Sequence, residues 1–457
     1  PHKLEASSNQ STTAQQQEHQ SNRVEELIMT RQQTMFGSVC ISAIALFQAS
    51  SVTAFAPTTS FTQQRSPQQM TPPSAASSTH LNAKPKRLED NVDGPLYVND
   101  KCINCAACSH FAPTVFSRSP KDNAHVVHHQ PSSELEIEQA RASLSACPVA
   151  AIRVETNADR SHRGLPEQSE EEKELTPKLA INPKFNGLEH PFPRPVAPDA
   201  ASDVHFIGHH NDASFGATPY VFGISSQTAD REKDWIMVDT PRYSKSAIAT
   251  VEKVTGSVGP KYLFLTHVDD TADHQKWKDH YPDLKRIFHA GDLGRHNWIG
   301  DKRLEDVEIL LPATDVPAHE ATNMPTFRLD GTPIPPTASI AEEEAVILHT
   351  PGHSPGSITL WKRPTETSEG VIFSGDTYAF STRGGGRMSA FPRYGNNLRT
   401  QGETIGKLVA MNDDNKAWSV VAPGHGHKRD YTTMPAGSMQ SDYDDALEEL
   451  KAYYRYD

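Results

Sequence analysis

Four of the five cysteines are spaced so that they could bind one metal group. Cys102, Cys105 and Cys108 stand three residues apart, and Cys147 is followed directly by Pro148. Three thiolates on one tight loop can occupy three corners of a cubane cluster, and a distant turn can supply the fourth ligand. Four cysteines can also bind structural zinc, but zinc ligands usually come as two Cys-x2-Cys pairs. The spacing therefore favours one [4Fe-4S] cluster bound by all four cysteines.

Histidines and aspartates form a second group of candidate ligands, because they follow short apolar segments that read as strands. These segments are residues 262–265, 345–348, 371–373 and 420–422. Residues at strand ends lie on the rim of a sheet, where loops can converge on a metal ion. Imidazoles and carboxylates with an open position suit a Zn or Fe ion that activates water. The candidate ligands are His267, Asp269, Asp273, His274, His353, Asp376 and His425.

The order of these motifs resembles the metallo-β-lactamase superfamily over residues 205–457. The strongest matches are the Pro-Gly-His-Ser-Pro-Gly loop at 351–356 and the Ser-Gly-Asp strand end at 374–376. The resemblance implies an αββα sandwich with one or two metal ions. It implies that His267 and His353 bind the first ion, that Asp376 bridges, and that a second ion takes the remaining ligands. Those remaining ligands would be Asp273, His274 and His425, with Asp273 also orienting the attacking water.

The first motif departs from the His-x-His-x-Asp-His pattern of that superfamily. The stretch from His267 to His274 is two residues longer and lacks the second histidine. Asp269 is the expected substitute, and Asp270 is the alternative. A carboxylate at this place resembles the diiron members of the superfamily more than the zinc hydrolases. The first-metal site is therefore left open to three outcomes: it binds iron, binds metal weakly, or is empty.

The cysteines lie in a segment that resembles one-cluster bacterial-type ferredoxins. The resemblance rests on residues 96–102, 112–116 and 146–152. It implies a βαββαβ-like fold that transfers one electron. The chain is accordingly predicted to be an α+β protein of two domains, a ferredoxin-like domain at 84–157 and a metallo-β-lactamase sandwich at 201–457. The charged, proline-rich residues 158–200 between them are predicted to be a linker.

Residues 1–83 are predicted to be a disordered N-terminus that contains a targeting presequence. From Met29 onward a short polar stretch, an apolar stretch and small residues follow one another, as in a signal peptide. Residues 52–57 (Val-Thr-Ala-Phe-Ala-Pro) resemble the junction of bipartite plastid presequences in algae with complex plastids. We expect the plastid stroma, with the secretory pathway as the alternative. Since no run of 18 apolar residues occurs, no membrane span is expected.

Three functions are compatible with these motifs. The first, which we favour because most members of the superfamily it resembles hydrolyse their substrates, is a metal-dependent hydrolase acting on a small ester or thioester-like molecule. The second is an iron-dependent oxidoreductase in which the cluster feeds electrons to a mono- or diiron site, with a redox partner protein. The third is a non-enzymatic redox sensor with a degenerate metal site. The net charge of −13 argues against a nucleic-acid partner.

Other polar residues receive weaker interpretations. An anionic substrate is possible if the arginines between Asp376 and His425 face the site; these are Arg383, Arg387, Arg393 and Arg399. Asp239 is expected to form hydrogen bonds that support either the fold or a ligand, and His427 either to support a ligand or to lie at the rim of the site. The pairs His128-His129 and His209-His210 are expected at the surface or in loops.

Overall fold

The protein is described by a computed structural model over residues 85–226, 232–412 and 417–454. The described residues belong to one compact unit. The predicted presequence and disordered segment, including Cys40, lie outside the described residues. None of the described helices combines the length and apolar character needed to cross a bilayer.

The cysteines lie in a small unit of four strands and two helices, the cysteine unit (residues 85–154). In chain order it contains β1 Leu96–Val98, α1 Ala107–Phe111, β2 Phe116–Arg118, β3 His125–Val127, α2 Glu134–Ala146 and β4 Ile152–Val154. β1 pairs antiparallel with β4, and β2 with β3. A capping box between Ser133 and Glu136 satisfies the first amides of α2. Buried apolar side chains, among them Leu96 and Ile137, form the core of this unit.

The segment expected to be a linker contains regular structure. It forms α3 Asn157–His162, α4 Glu170–Lys178 and α5 Pro183–Asn186, and its last residues form β5 Arg194–Ala197. β5 pairs with the next strand and is the edge of a large sheet. Pro195 is compatible with an edge strand, because such a strand need not donate every amide to a neighbour. The first sheet therefore includes residues 194–197 of the segment predicted to be a linker.

The first sheet of the sandwich (residues 194–454) has seven strands among the described residues, in the order β11-β10-β9-β8-β7-β6-β5. After β5 come β6 Ala201–Phe206, β7 Tyr220–Ser225, β8 Lys233–Val238, β9 Tyr262–Phe264, β10 Lys285–His289 and β11 Ile309–Leu311. Strands β8 to β11 are parallel and β5 to β8 antiparallel. Helices α6 Lys245–Thr255 and α7 His274–His280 cover one face, where Val251 and Trp277 pack on Met237 and Leu263.

The second sheet has six strands in the described part of the chain, in the order β12-β13-β14-β15-β18-β19. Its strands are β12 Thr326–Phe327, β13 Ala345–His349, β14 Ile358–Lys362, β15 Val371–Gly375, β18 Val420–Pro423 and β19 Arg429–Asp430. A separate hairpin of β16 Ala379–Ser381 and β17 Arg387–Ser389 lies between β15 and β18 in the chain. Helices α8 Leu398–Met411 and α9 Ser438–Tyr454 cover its outer face. There Ile405 and Leu450 pack against Ile372 and Val421.

The inner faces of the two sheets meet in one apolar core. Phe373 of β15 contacts Tyr220 and Phe222 of β7, with ring centroids 5.4 and 5.0 Å apart. Because strand side chains alternate between faces, each sheet has one face toward the other sheet and one toward helices. The layers of this mixed α/β structure are therefore helix, sheet, sheet, helix. Phe111 of the cysteine unit joins the same core, 5.2 Å from the ring of Phe206.

Candidate metal centre

Four strand ends converge at one rim of the sandwich. His267 lies three residues after β9, and a 3₁₀ turn, Val268–Asp270, follows it directly. His353 lies in the loop between β13 and β14, while Asp376 and His425 follow β15 and β18. The 3₁₀ turn Val268–Asp270 brings the carboxylates of Asp269 and Asp270 to the rim immediately after His267. We call His267, Asp269, Asp270, His353, Asp376 and His425 the His/Asp centre.

Four donor atoms of this centre surround one point. His267 Nε2 lies 3.7 Å from Asp269 Oδ2 and 3.8 Å from Asp376 Oδ2. His353 Nε2 lies at the same two distances, 3.7 and 3.8 Å, from these two oxygens. Ligand atoms around a tetrahedral ion with bonds of about 2.1 Å are about 3.4 Å apart. The spacing is thus close to that of a first metal site, with Asp269 in the place of the second histidine.

A second group of donors adjoins the first. His425 Nδ1 lies 3.0 Å from Asp376 Oδ1 and 3.9 Å from Asp270 Oδ2. Asp270 Oδ2 is also 3.8 Å from His267 Nδ1. Asp376 therefore faces both groups and is the residue positioned to bridge two ions. Asp270, the alternative weighed for this motif, occupies the second group.

Several donor atoms of the centre are buried without a hydrogen-bond partner. They are His267 Nε2, both carboxylate oxygens of Asp270, His353 Nδ1 and His425 Nε2. A buried carboxylate without a partner is costly unless a cation compensates it. Asp270 is fully buried, so this orphaned carboxylate fits a site built for a cation. The side chains of Asp269 and His425 are 20% and 17% exposed, which marks the side that solvent reaches.

Burial and the charged groups of the centre strongly shift the pKa values of several of its side chains. Burial opposes protonation of His425, but the carboxylates of Asp376 and Asp270 raise its pKa to about 10. Burial raises the pKa of Asp270 well above its usual value, although the charges of His425 and His267 oppose this. Asp269 responds in the other direction, because its contacts with His267 and His353 outweigh burial and lower its pKa to about 2. His425 thus holds a proton where a metal ion would otherwise supply the positive charge.

Two further carboxylates hold the loops of the centre in place. Asp239, at the end of β8, accepts hydrogen bonds from the Thr266 amide and hydroxyl, as its supporting role predicted. Asp292 accepts from the Val268 and Gly356 amides and from the Ser354 hydroxyl. It therefore ties the first motif to the loop that carries His353. The sequence analysis missed Asp292, although it follows a strand as the ligands do.

Two predicted ligands, Asp273 and His274, lie outside the centre. Asp273 Oδ2 accepts from Asn211 Nδ2 and the Tyr243 amide, and its Oδ1 pairs with Lys276 at 2.7 Å. The backbone of Asp273 has a left-handed φ of 61° and begins α7, which turns its side chain toward these partners.

His274 is committed to other contacts in the same way. Its ring nitrogens contact Asp301 and Arg286 at 3.2 and 3.1 Å. The structure therefore does not bring Asp273 and His274, the predicted ligands of the second ion, to the other residues of the centre. The two additional residues of the motif shift both side chains past the rim.

The four arginines between Asp376 and His425 do not all lie in the same surroundings. Arg387 pairs with Glu449, and Arg399 stacks over Tyr454 at 5.9 Å, so these two arginines face α9. Arg393 is exposed and bonds to Tyr453, and Arg383 is also exposed.

The two histidine pairs behave differently from each other. His128 and His129 are exposed, as expected. His209 and His210 are buried, contrary to expectation, because their loop packs beneath the cysteine unit: His210 lies 5.9 Å from the Phe111 ring. His427, expected at the rim, is buried against the cysteine unit and bonds to Ser109.

The four cysteines line one small apolar cavity. The loop between them uses left-handed φ values at Asn104 and Ala106, of 60° and 67°. Backbone amides point at two of the sulfurs: Asn104 and His125 donate to Cys102 Sγ at 3.4 Å, and Ala151 donates to Cys147 Sγ at 3.2 Å. Such amide–sulfur bonds are typical of iron–sulfur sites and tune their potentials.

The spacing of the cysteines separates the two alternatives for this site. Within the described residues, the groups of three donor atoms lying within 4.8 Å of one another are in the His/Asp centre. The thiols form no such group, whereas the sulfurs around one zinc ion lie about 3.8 Å apart. Burial, followed by repulsion from neighbouring thiols, raises the pKa of Cys105 to about 12. The cavity therefore fits a larger group whose irons neutralise the thiolates.

Comparison with known proteins supports the resemblance to one-cluster ferredoxins directly. Residues 98–154 match the family model described as the 4Fe-4S single cluster domain of Ferredoxin I. No curated protein matches the chain.

The chain is also similar to solved metallo-β-lactamases and to a lactone hydrolase. The DIM-1 metallo-β-lactamase is 10% identical, with 57% of this chain and 97% of that chain covered and a TM-score of 0.35. A metallo-β-lactamase from Erythrobacter litoralis is 12% identical over 56% and 94% of the two chains, with a TM-score of 0.34. A quorum-quenching N-acyl homoserine lactone hydrolase is 16% identical over 46% and 80%, with a TM-score of 0.31. The assignment of the αββα layers rests on the sheets and helices of the chain itself.

Proposed function

We propose that the sandwich is a metal-dependent hydrolase of a small ester or thioester-like substrate. One observation carries the proposal: the Nε2 atoms of His267 and His353 each lie 3.7 Å from Asp269 Oδ2 and 3.8 Å from Asp376 Oδ2, close to the spacing of ligands around one ion. These four residues would hold the first ion. Asp270 and His425, with Asp376, would hold a second.

In this proposal the metal ion would activate the substrate and water, and the side chains of the centre would hold and orient the ion. A Zn or Fe ion supplies a Lewis acid for a carbonyl oxygen and lowers the pKa of water. Asp269 lies at the exposed side and therefore borders the place where a substrate enters. His425 fixes the orientation of Asp376 through its Nδ1 and its backbone amide. Asp270 takes the position that the sequence analysis assigned to Asp273.

Hydrolysis by the zinc-loaded chain tests this proposal. The cluster-containing protein would be loaded with zinc and assayed against a panel of esters, thioesters and lactones. His353→Ala should abolish both zinc binding at the centre and turnover. His319→Gln is the matched control, since His319 is also buried but bonds to the Ala338 carbonyl. Equal turnover of wild type and His353→Ala would refute the proposal.

The donor set favours one second candidate, an iron-dependent oxidoreductase with a redox partner protein. The centre combines three imidazoles with three carboxylates, and carboxylate-rich sets suit non-haem iron as well as zinc. Iron retained in the centre after purification without oxygen, with no hydrolysis by either metal form, would select this candidate. Failure of the centre to take up either metal would leave the non-enzymatic redox sensor.

We also propose that the chain acts in the plastid stroma, on the basis of residues 29–83. A fluorescent protein fused after residue 83 and expressed in an alga with a complex plastid tests this location. Fluorescence in secretory compartments would contradict it and support the alternative.

A further inference from the structure

The cysteine unit and the His/Asp centre are joined by a short buried contact. Ser109 follows the cluster ligand Cys108 in α1, and its Oγ lies 3.2 Å from His427 Nε2. His427 stands two residues after His425, whose ring lies 3.0 Å from Asp376. A route with one hydrogen bond and otherwise only covalent bonds therefore connects Cys108 to His425.

This contact is held rigidly and is shielded from water. Ser109 and His427 are 4% and 9% exposed. The His427 amide donates to the Phe380 carbonyl at 2.8 Å, while Ser109 Oγ donates to the Ala106 carbonyl. The residues that follow Ser109 and His427 form a second contact between the same two segments, because the Lys428 amide donates to His110 Nε2 at 3.4 Å.

A second element brings the sandwich against another cluster ligand. A Cβ placed on Gly216 would lie 2.7 Å from Cys105 Cβ, so the backbone of this loop touches that cysteine. On its other side the loop is bonded to the centre's own strand end, because the Thr218 amide donates to the Gly424 carbonyl at 2.8 Å. The cluster side and the metal side are thus packed together without an intervening solvent layer at these contacts.

We propose that the Ser109–His427 contact carries one electron between the [4Fe-4S] cluster and an iron ion in the His/Asp centre. In this step a reduced cluster loses one electron and returns to its oxidised form, and a ferric ion gains that electron and becomes ferrous. A low-potential one-electron donor re-reduces the cluster, and dithionite serves as that donor in vitro. The inference rests on the second candidate function, because it requires iron in the His/Asp centre, and it adds the route of the electron. It does not require the proposed hydrolysis, because no bond of a substrate is broken.

Rapid mixing tests the step with absorbance and electron paramagnetic resonance, and without any substrate. The full chain with its cluster, loaded with ferric iron at the centre, would be mixed with less than one equivalent of dithionite. We expect the visible band of the cluster to bleach and then recover in a first-order phase that is independent of protein concentration, while the ferric signal is lost. The zinc-loaded chain is the matched control, and its cluster should stay reduced.

Variants at both ends of the contact locate the route. His427→Phe and Ser109→Ala should each slow the recovery roughly tenfold, and the double variant should be no slower than either single variant, because both remove one shared contact. His427→Gln, which keeps a hydrogen-bonding group, should recover faster than His427→Phe. Cluster sulfide and ferric iron would be measured in each variant.

The proposal is overturned by any of three results. The first is a wild-type cluster that stays reduced beside ferric iron, and the second is an unchanged recovery rate in Ser109→Ala with full cluster and iron content. The third is a set of single-variant effects that add in the double variant. Loss of hydrolysis with zinc leaves this measurement unaffected, whereas failure of the centre to bind any metal would defeat both proposals and is detected separately by its iron content.

Discussion

Gly424→Ala should weaken metal binding at the His/Asp centre without disturbing the rest of the sandwich. A Cβ on Gly424 would lie 2.8 Å from Asp270 Oδ2 and 3.0 Å from Asp376 Oδ1. Since ordinary contacts begin at 3.4 Å, the two oxygens must retreat by about 0.4 to 0.6 Å. Metal–ligand bonds tolerate deviations of only about 0.2 Å. We therefore expect zinc affinity to fall about 10- to 100-fold, or about 1.4 to 2.7 kcal/mol.

Competition with a chromophoric zinc chelator measures this loss on the cluster-containing chain. Gly406→Ala is the matched control: Gly406 lies in α8, and a Cβ there meets no atom within 4 Å. This control should keep wild-type zinc affinity and gain about 0.5 to 1 kcal/mol of stability from the better helix former. Wild-type zinc affinity in a folded Gly424→Ala protein would refute the placement of Asp270 and Asp376 as ligands.

Three further predictions concern the ligands, their protons and the cluster. Asp270→Asn should lower the number of ions bound at the centre, whereas Asp273→Asn should not; the reverse pattern, by metal analysis, would restore the ligand set expected from the sequence. Because carboxylates raise the pKa of His425 to about 10, a metal ion must displace its proton at neutral pH, so affinity should rise with pH up to about tenfold per unit. Calorimetry in two buffers with different ionisation enthalpies should show this proton release, and equal heats in both would contradict it. Gly216→Ala should reduce cluster sulfide, because its Cβ would collide with a cluster-binding cysteine. Gly256→Ala, also at positive φ but in open space, should keep full sulfide. Equal sulfide in the two variants would show that the loop containing Gly216 does not constrain the cluster.

The parts of the centre that follow strand ends could be anticipated from sequence. His267, His353, Asp376 and His425 each come shortly after an apolar segment, and the structure brings all four together. This works because the position of a residue relative to a strand end is a local property. The order of elements around the cysteines is local in the same sense, since it follows from strand and helix patterns in a short segment.

Other features depend on backbone conformation or on contacts between distant segments. Asp273 lies away from the centre because its left-handed backbone begins a helix and its side chain contacts Asn211, which no residue pattern reveals. Arg387 pairs with Glu449 of α9, a helix that lies more than fifty residues later in the chain. His210 is buried because a separate unit covers it. Long-range packing of this kind also placed the end of the expected linker in the first sheet.

Metal and acid-labile sulfide analysis of the chain purified without oxygen tests the central claim, that one cluster and a separate His/Asp centre share this chain. We predict about four sulfides with about four irons, plus one or two further ions of zinc or iron. In His353→Ala the further ions should be lost while the sulfide is retained. Cluster iron alone in the wild type, even after loading with zinc or ferrous iron, would contradict the account.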